Sequence, residues 1–265
     1  MRLYQVDAFT ETAFTGNPAG VCLLPDQRSD CWMLNLAREM NLSETAFLLP
    51  QGSGYSLQWF TPKTEVSLCG HATLASAHVL WEEHLVPETE PIQFFTKSGT
   101  LPVRRTGGLI EMDFPARQVV PAEESVQINQ ALGVAPTFTG KYAAPNGDLY
   151  LLRVASDDIV KRIAPDFQRL LATPARVVVV TSASSDPAYD FVSRFFAPAV
   201  GINEDPVTGS AHCYLAPYWG GILKKTEMVG YQASERTGII RCTWMGERVW
   251  IGGKAKTIFK GELVA

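Results

Sequence analysis

Cysteine is scarce in this sequence, and its spacing suggests no bonded framework. The chain of 265 residues has five cysteines, an odd number, and no two form a CxxC pair; they are Cys22, Cys31, Cys69, Cys213 and Cys242. A scattered, odd set is typical of free thiols in a reducing compartment. We therefore expect a cytoplasmic protein that is not stabilised by disulfides.

Long hydrophobic runs and clusters of basic residues are also missing. The longest uncharged run beside a predicted helix, GHATLASAHVLW, falls short of the roughly 20 residues that cross a bilayer. The first residues, MRLYQVDAFTETAF, lack the basic flank and apolar core of a signal peptide. The formal net charge is −4, and no Lys/Arg cluster exceeds a pair. We expect neither a membrane nor a nucleic acid as partner.

Several common catalytic fingerprints are absent as well. The sequence has no GxGxxG after a strand and no GxxxxGK[ST], so neither nucleotide-binding motif is present. Ser210 lies in VTGSA rather than in a GxSxG elbow, which argues against a serine hydrolase. The candidate ligands His71, His212, Asp205 and Glu44 contain no HxH or HExxH pair, so we expect no metal site.

An internal repeat is the most informative feature present. Three glycines recur at one constant offset along the chain, and the pairs are Gly70 with Gly209, Gly99 with Gly238, and Gly107 with Gly246. An apolar run starts each copy, GHATLASAHVLW in the first and GSAHCYLAPYWGG in the second. A segment that alternates around a glycine turn follows, GTLPVRRTGGLIEMDF and then GIIRCTWMGERVWIGG. Each copy therefore predicts a helix followed by a hairpin, although two unrelated helix-hairpin units would give a similar pattern.

The repeat and its apolar helices predict the fold class. A helix that is apolar on all faces must be enclosed, since a surface helix shows a polar stripe. With 46% hydrophobic residues, the chain can form two cores. We expect an α+β fold of two domains, residues 1–115 and 116–265, each a curved sheet around one central helix. The link DFPARQVVPAEES marks the boundary, and Pro217 should kink or shorten the second helix.

The starts of the two predicted helices are candidate binding sites for an anion. A helix N-terminus presents free N–H groups and the positive end of the helix dipole. Gly70 and Gly209 would let a ligand approach the backbone closely, and the two termini could face each other across a cleft. The alternative is that both glycines only begin buried helices.

Glu44, in the stretch MNLSETAFLLP, is a candidate acid/base. Asn41 and Glu44 fit a capping box, but Pro50 leaves little room for a helix to follow. The pattern before them indicates instead that a helix ends at Asn41 and that Glu44 lies on the apolar face of a strand. An acid in that setting should have a raised pKa, suited to proton transfer near neutral pH.

Polar residues also gather around both predicted helix starts. His71 follows Gly70 and could hold a carboxylate or relay a proton, although a lone histidine is more often structural. In FFAPAVGINEDPVTGSAH, Asp205 precedes Gly209 by four residues and Ser210 follows it. The Glu-Asp-Pro segment is often only a turn, so the assignment of Asp205 stays open at this level.

Four motifs together resemble one family: DAFTETAFTGNPAGVCLL, AREMNLSETAFL, WFTPKTEVSLCGHATLASAHVL and FFAPAVGINEDPVTGSAH. They are similar to the PhzF family of phenazine-biosynthesis-like isomerases, within the diaminopimelate epimerase-like superfamily. The resemblance implies two pseudo-symmetric domains, each a β-barrel-like sheet around a helix, with the active site between them. It also implies that no cofactor is used and that the protein is a homodimer. The reaction implied is the isomerisation of a dihydro-hydroxyanthranilate, a small cyclic amino acid, by proton transfer between carbons.

The resemblance also carries residue roles onto matching positions of this chain. The glutamate of SETAF, the family's general acid/base, matches Glu44. Assisting roles in proton transfer and substrate binding match the residues of GHAT, EDP and TGS, which are His71, Asp205 and Ser210. The remaining substrate contacts implied are Asn17 and Pro18 of GNP, and the backbone amides of Gly70 and Gly209 toward a carboxylate.

Two other functions remain open from the sequence. Superfamily relatives use two cysteines as a racemase pair, and Cys69 could supply one thiol. The position that the repeat makes equivalent to Cys69 is Thr208, and Cys213 lies deeper in the second helix, so the opposing thiol is missing. A non-catalytic protein that binds a small carboxylate on the same fold is the second alternative.

Overall fold

The computed structural model describes residues 1–264 and shows an α+β fold, as the sequence predicts. Its α-helices are α1 (Asp30–Met40), α2 (Gly70–Glu82), α3 (Val126–Leu132), α4 (Asp157–Arg162), α5 (Phe167–Leu171) and α6 (His212–Leu223). Short 3-10 turns cover Pro198–Val200 and Gly209–Ala211. The strands are β1 (Arg2–Ala8), β2 (Asn17–Leu23), β3 (Glu44–Gln51), β4 (Gly54–Phe60), β5 (Glu65–Val66), β6 (Ile92–Thr96), β7 (Gly99–Thr106), β8 (Leu109–Pro115), β9 (Val120–Pro121), β10 (Phe138–Tyr142), β11 (Asp148–Arg153), β12 (Ala175–Ala183), β13 (Phe191–Ala197), β14 (Ile202–Glu204), β15 (Glu227–Gln232), β16 (Gly238–Met245), β17 (Arg248–Gly253) and β18 (Ala255–Glu262).

The chain divides into two compact units. Unit 1 consists of Met1–Asp113 together with the segment that starts at Trp250, and unit 2 is Phe114–Val249. This division differs from halves of 1–115 and 116–265 at the C-terminal end. The reason is a strand pairing, because β18 runs antiparallel along the whole of β1. The hydrogen bonds of β18 therefore attach the C-terminal segment to the sheet of unit 1.

In unit 1, a sheet surrounds the apolar helix α2. The strand neighbours run β18-β1-β2-β3-β4-β6-β7-β8, and the pairs β2–β3 and β4–β6 are parallel while the others are antiparallel. Helix α2 packs against β1, β2, β3 and β18. Ten of its 13 residues are buried, which confirms that the uncharged run forms an enclosed helix.

Unit 2 repeats this topology. Its neighbours run β9-β10-β11-β12-β13-β15-β16, with β11–β12 and β13–β15 parallel and the others antiparallel. The same sequence of parallel and antiparallel pairs occurs from β1 to β7. Strands β7 and β16 have the same length, begin at the paired glycines Gly99 and Gly238, and lead into turns that begin with the paired glycines Gly107 and Gly246. The predicted pseudo-symmetric repeat is therefore confirmed in the strand order.

Helix α6 contains Pro217, yet the helix continues to Leu223. Proline has no N–H, so it cannot bond to the carbonyl four residues earlier, which belongs to Cys213. The backbone N–H of Arg117 donates to that carbonyl at 2.8 Å instead. Pro217 was expected to kink or shorten the helix; it does not shorten it, since α6 continues to Leu223 and the link segment supplies a donor for the Cys213 carbonyl.

None of the helices in residues 1–264 is long and apolar enough to cross a membrane.

Candidate active site

Glu44 is placed by the end of α1 and the start of β3. Asn41 adopts a left-handed conformation with φ of 49°, and its N–H donates to the Ala37 carbonyl, so α1 ends there as predicted. The capping-box alternative is excluded, because Glu44 is the first residue of a strand rather than part of a helix. In the parallel pair β2–β3, Glu44 is opposite Ala19.

The Glu44 carboxylate lies beside the start of α2. Its Oε2 is 3.3 Å from Nε2 of His71, and the two side chains are only 12% and 7% exposed. The other ring nitrogen of His71, Nδ1, is 3.5 Å from Sγ of Cys69. His71 is therefore in contact with both a carboxylate and a thiol in a largely buried cluster.

His71 is held in its neutral form. Burial lowers the pKa of His71 to about 3, so the ring is an uncharged imidazole at neutral pH. Within the described residues, its Nε2 makes no hydrogen bond of normal geometry, although the Glu44 oxygen is in contact with it. A neutral imidazole has one donor and one acceptor nitrogen. It can accept a proton at one side and release one at the other.

The first turn of α2 lies directly at this cluster. Cys69 occupies the N-cap position, and Gly70 and His71 are the first two helical residues. Thr73 donates its Oγ1 hydrogen to the Cys69 carbonyl at 2.6 Å, which reinforces the helical bond from the Thr73 N–H to the same atom. The N–H groups of a first turn have no partner within the helix. They therefore place a positive partial charge next to Glu44.

Asn17 belongs to the same part of unit 1. It is the first residue of β2, is fully buried, and precedes by two residues Ala19, the partner of Glu44. Residues two apart in a strand share a face. Before it, Gly16 has φ of +73°, and a Cβ there would lie 2.3 Å from the Ala8 carbonyl oxygen. Only glycine fits this position, so the local backbone conformation requires the glycine of the GNP motif.

In unit 2, a hydrogen-bond network holds the segment before α6. The hydroxyl of Thr208 donates to Oδ2 of Asp205 at 2.5 Å, and the Thr208 N–H donates to Oε1 of Gln232 at 2.8 Å. Nε2 of Gln232 donates to the Asp205 carbonyl at 2.7 Å. Gln232 is fully buried in β15. Sequence reasoning missed Gln232 and Thr208, since only the polar end of the strand EMVGYQ hinted at a buried amide.

Two polar residues of this segment are structural. His212 is fully buried, burial lowers its pKa to about 4, and its Nδ1 lies 3.0 Å from the Thr208 carbonyl oxygen. Glu204 forms a two-pronged ion pair with Arg194, and both N–O distances are 2.7 Å. Ser210, by contrast, is exposed, and Gly209 starts the 3-10 turn that leads into α6.

The structure thus brings Glu44 to the start of α2 in unit 1, beside Gly70 and His71. Asn17 lies at the start of β2, the strand that pairs with the strand of Glu44. Unit 2 holds Asp205, Gly209 and Ser210 around the start of α6.

Comparison with known proteins first gives the class. An uncharacterized isomerase of Halalkalibacterium halodurans is 51% identical over 265 residues, which cover 99% of this chain and 98% of the relative. A probable proline racemase of Agrobacterium radiobacter, solved with bound carbonate, has a TM-score of 0.62 at 10% identity, covering 99% and 92% of the two chains. That second likeness concerns the fold alone. The protein is an enzyme of the isomerase class.

The family follows from two further matches. A family model described as phenazine biosynthesis-like protein, PhzC-PhzF, matches residues 6–261. The crystal structure of a PhzF-family phenazine biosynthesis protein from Enterococcus faecalis has a TM-score of 0.93 at 40% identity, covering 100% of this chain and 99% of that one. The chain belongs to the PhzC-PhzF family.

Proposed function

We propose that this isomerase moves a proton between carbons of a small carboxylate-bearing substrate, such as a cyclic amino acid, with Glu44 as the general acid/base. The observation that carries the proposal is the buried contact of Glu44 with His71, 3.3 Å between Oε2 and Nε2. General bases act within hydrogen-bond reach of the proton they take. The chemistry needs no cofactor, since one carboxylate can both remove and return the proton.

The steps follow from the cluster. The ionised Glu44 removes a proton from a substrate carbon, and the electron pair of that C–H bond delocalises into the substrate's conjugated system. The first-turn N–H groups of α2 stabilise the negative charge that develops, as preorganised donors do in other enzymes. His71 orients the carboxylate and exchanges protons with it. The protonated Glu44 then returns the proton to another carbon.

The other predicted residues have supporting roles in this proposal. Asp205 assists proton transfer, held by its bond from Thr208. The substrate-binding residues are Asn17, Gly70, Gly209 and Ser210, with the glycine amides directed to a carboxylate. We further propose a homodimer, and a location in the cytoplasm in keeping with five cysteines that form no disulfide. Sedimentation of the purified protein at the mass of a monomer would contradict the dimer.

A two-thiol racemase is the second candidate, because Sγ of Cys69 lies 3.5 Å from Nδ1 of His71. Such a mechanism needs an opposing thiol. The equivalent position in the repeat is Thr208, and burial raises the pKa of Cys213 to about 12, which leaves that thiol protonated. Full activity after Cys69→Ser would eliminate this candidate. Loss of activity in Cys69→Ser, with Glu44→Gln unaffected, would establish it.

The test is a metabolite screen in heavy water with three proteins: wild type, Glu44→Gln and Glu39→Gln. Glu39 is an exposed glutamate on α1 and serves as the matched control. We expect at least one small carboxylate to acquire deuterium with the wild type and the control but not with Glu44→Gln. Deuterium incorporation retained by Glu44→Gln would contradict the role of Glu44. Binding of a carboxylate without exchange would instead favour a non-catalytic binding protein.

A further inference from the structure

Three different ligating groups converge at the start of α2. One atom each from the Glu44 carboxylate, the Cys69 thiol and the His71 imidazole lie within 4.8 Å of one another. The cluster is well shielded, since Cys69 is 7% exposed as a residue and the Glu44 and His71 side chains are 12% and 7% exposed. No further group of three such donors occurs in residues 1–264.

The donor set is typical of zinc rather than of magnesium or calcium. Thiolate and imidazole are preferred by thiophilic cations, whereas hard cations take oxygen ligands. Two ligands of one tetrahedral zinc, with Zn–S about 2.3 Å and Zn–N about 2.0–2.1 Å, are about 3.5 Å apart. Sγ of Cys69 and Nδ1 of His71 are separated by 3.5 Å. This pair already has the spacing of two zinc ligands.

A further observation supports a cation here. The buried Nε2 of His71 makes no hydrogen bond of normal geometry within the described part of the chain. The Glu44 carboxylate is in contact with that ring and ends a side chain with three rotatable bonds. It can turn toward a cation held by Cys69 and His71.

We propose that Glu44, Cys69 and His71 form a binding site for one thiophilic divalent cation, Zn²⁺ in the first instance, with the fourth coordination position open to solvent or substrate. On binding, the Cys69 thiol releases its proton to solvent as the sulfur–metal bond forms. The site does not depend on the proposed function. If Glu44 is also the acid/base, a cation bound to its carboxylate prevents proton transfer and so inhibits turnover reversibly.

The ligands come from two separate segments, which explains why ligand spacing in the sequence gives no sign of them. Cys69 and His71 are two residues apart at a helix start. Glu44 begins β3, and two further strands, β4 and β5, lie between it and that helix.

Elsewhere in unit 1, His78 and Glu82 are 3.7 Å apart and offer only two donors. Cys31 is an exposed thiol on α1. These residues provide controls.

The experiment is a titration of the purified, metal-free protein with Zn²⁺ by calorimetry and with Co²⁺ by absorption spectroscopy. We expect saturation at one equivalent of Zn²⁺. With Co²⁺, a thiolate-to-cobalt charge-transfer band should appear together with the intense visible bands of a tetrahedral ion. Removing an outer partner of a metal ligand weakens affinity by about 10- to 100-fold. Cys69→Ser and His71→Asn remove a ligand itself, so each should weaken Zn²⁺ affinity by more than about 100-fold. Cys31→Ser and His78→Gln should bind Zn²⁺ as tightly as the wild type.

Two results would overturn the proposal. One is that the wild-type protein takes up Co²⁺ without a thiolate-to-cobalt band, or binds no Zn²⁺ at one equivalent. This result is measured on the wild type alone and does not depend on the folding of any variant. The other is Cys69→Ser binding as tightly as the wild type while Cys31→Ser or His78→Gln loses the cation. Circular dichroism confirms that each variant is folded before titration. None of these readouts uses activity, so failure of the proposed function leaves them unaffected.

Discussion

The starts of α2 and α6 occupy the same place in the two repeats but carry different chemistry. Thr73 donates from its side chain to the Cys69 carbonyl, and His212, at the equivalent position in the repeat, places Nδ1 3.0 Å from the Thr208 carbonyl oxygen. Both contacts span four residues at a helix start. The shared position is therefore structural in both units.

The difference lies in what surrounds each start. In unit 1, a carboxylate, a thiol and an imidazole converge, and each can gain or lose a proton. In unit 2, Thr208 and Ser210 replace Cys69 and His71, and the strand equivalent to β3 begins with Ala175 instead of a glutamate. One copy thus brings a carboxylate, a thiol and an imidazole together, and the other brings hydroxyls and an amide together with the Asp205 carboxylate.

The largest effect on stability should come from Glu204→Gln in unit 2. Glu204 neutralises Arg194, which is 8% exposed, so its loss leaves a buried cation without its ion pair. Breaking a buried pair costs about 3–5 kcal/mol. Glu44→Gln should change the free energy of unfolding by less than about 1 kcal/mol, within the range of mild substitutions. Urea unfolding of both variants measures the difference, and equal losses would contradict the division between structural and chemical glutamates.

Proline substitution sharpens the comparison of the two helices. The position in α2 equivalent to Pro217 is His78, whose N–H should bond to the Leu74 carbonyl in a regular helix. His78→Pro should lower the free energy of unfolding by about 3 kcal/mol or more. Pro217→Ala should change stability by less than about 1 kcal/mol, because Arg117 already bonds the Cys213 carbonyl. Thermal unfolding tests both, and a large loss in Pro217→Ala would contradict this account of the helix.

The smallest effect should be a difference in acid sensitivity between α4 and α1, which connect equivalent strands. Hydrogen bonds from Lys161 and Ser185 lower the pKa of Asp157 from 3.8 to about 2. Because the folded-state pKa is lowered, the stabilisation is complete above pH of about 4 and is lost as pH falls toward about 2. Hydrogen exchange should show amide protection in α4 falling by more than about tenfold across this window, since each pKa unit of the shift corresponds to a factor of ten. Asp157→Asn should remove the pH dependence, and α1 serves as the internal reference.

Much of the fold was predictable from local pattern. The uncharged run from Gly70 required an enclosed helix, and glycine pairs at one constant offset located the repeat. The end of α1 at Asn41 followed from the spacing of apolar residues. The pairing of β18 with β1 was not predictable in this way, because an alternating strand does not specify a distant partner.

The residues of the candidate site were more predictable from the sequence than the contacts between them. The motifs pointed to Glu44 and His71, and the structure brings them to 3.3 Å. The approach of Glu44 to His71 and the support from Gln232 depend on tertiary packing. A buried amide that bonds a loop separated from it in sequence by a whole helix produces no periodic pattern in the sequence.

The central claim is that Glu44 of unit 1 is the acid/base of the proposed proton transfer, and one measurement tests it most directly. Solvent-deuterium incorporation into a turned-over substrate would be followed for Glu44→Gln and Ser210→Ala in parallel. We predict that Glu44→Gln lowers kcat by about 10²- to 10⁴-fold with KM little changed. Ser210→Ala should raise KM with kcat within about threefold, as expected for uniform binding. Incorporation at the wild-type rate by Glu44→Gln would contradict the claim.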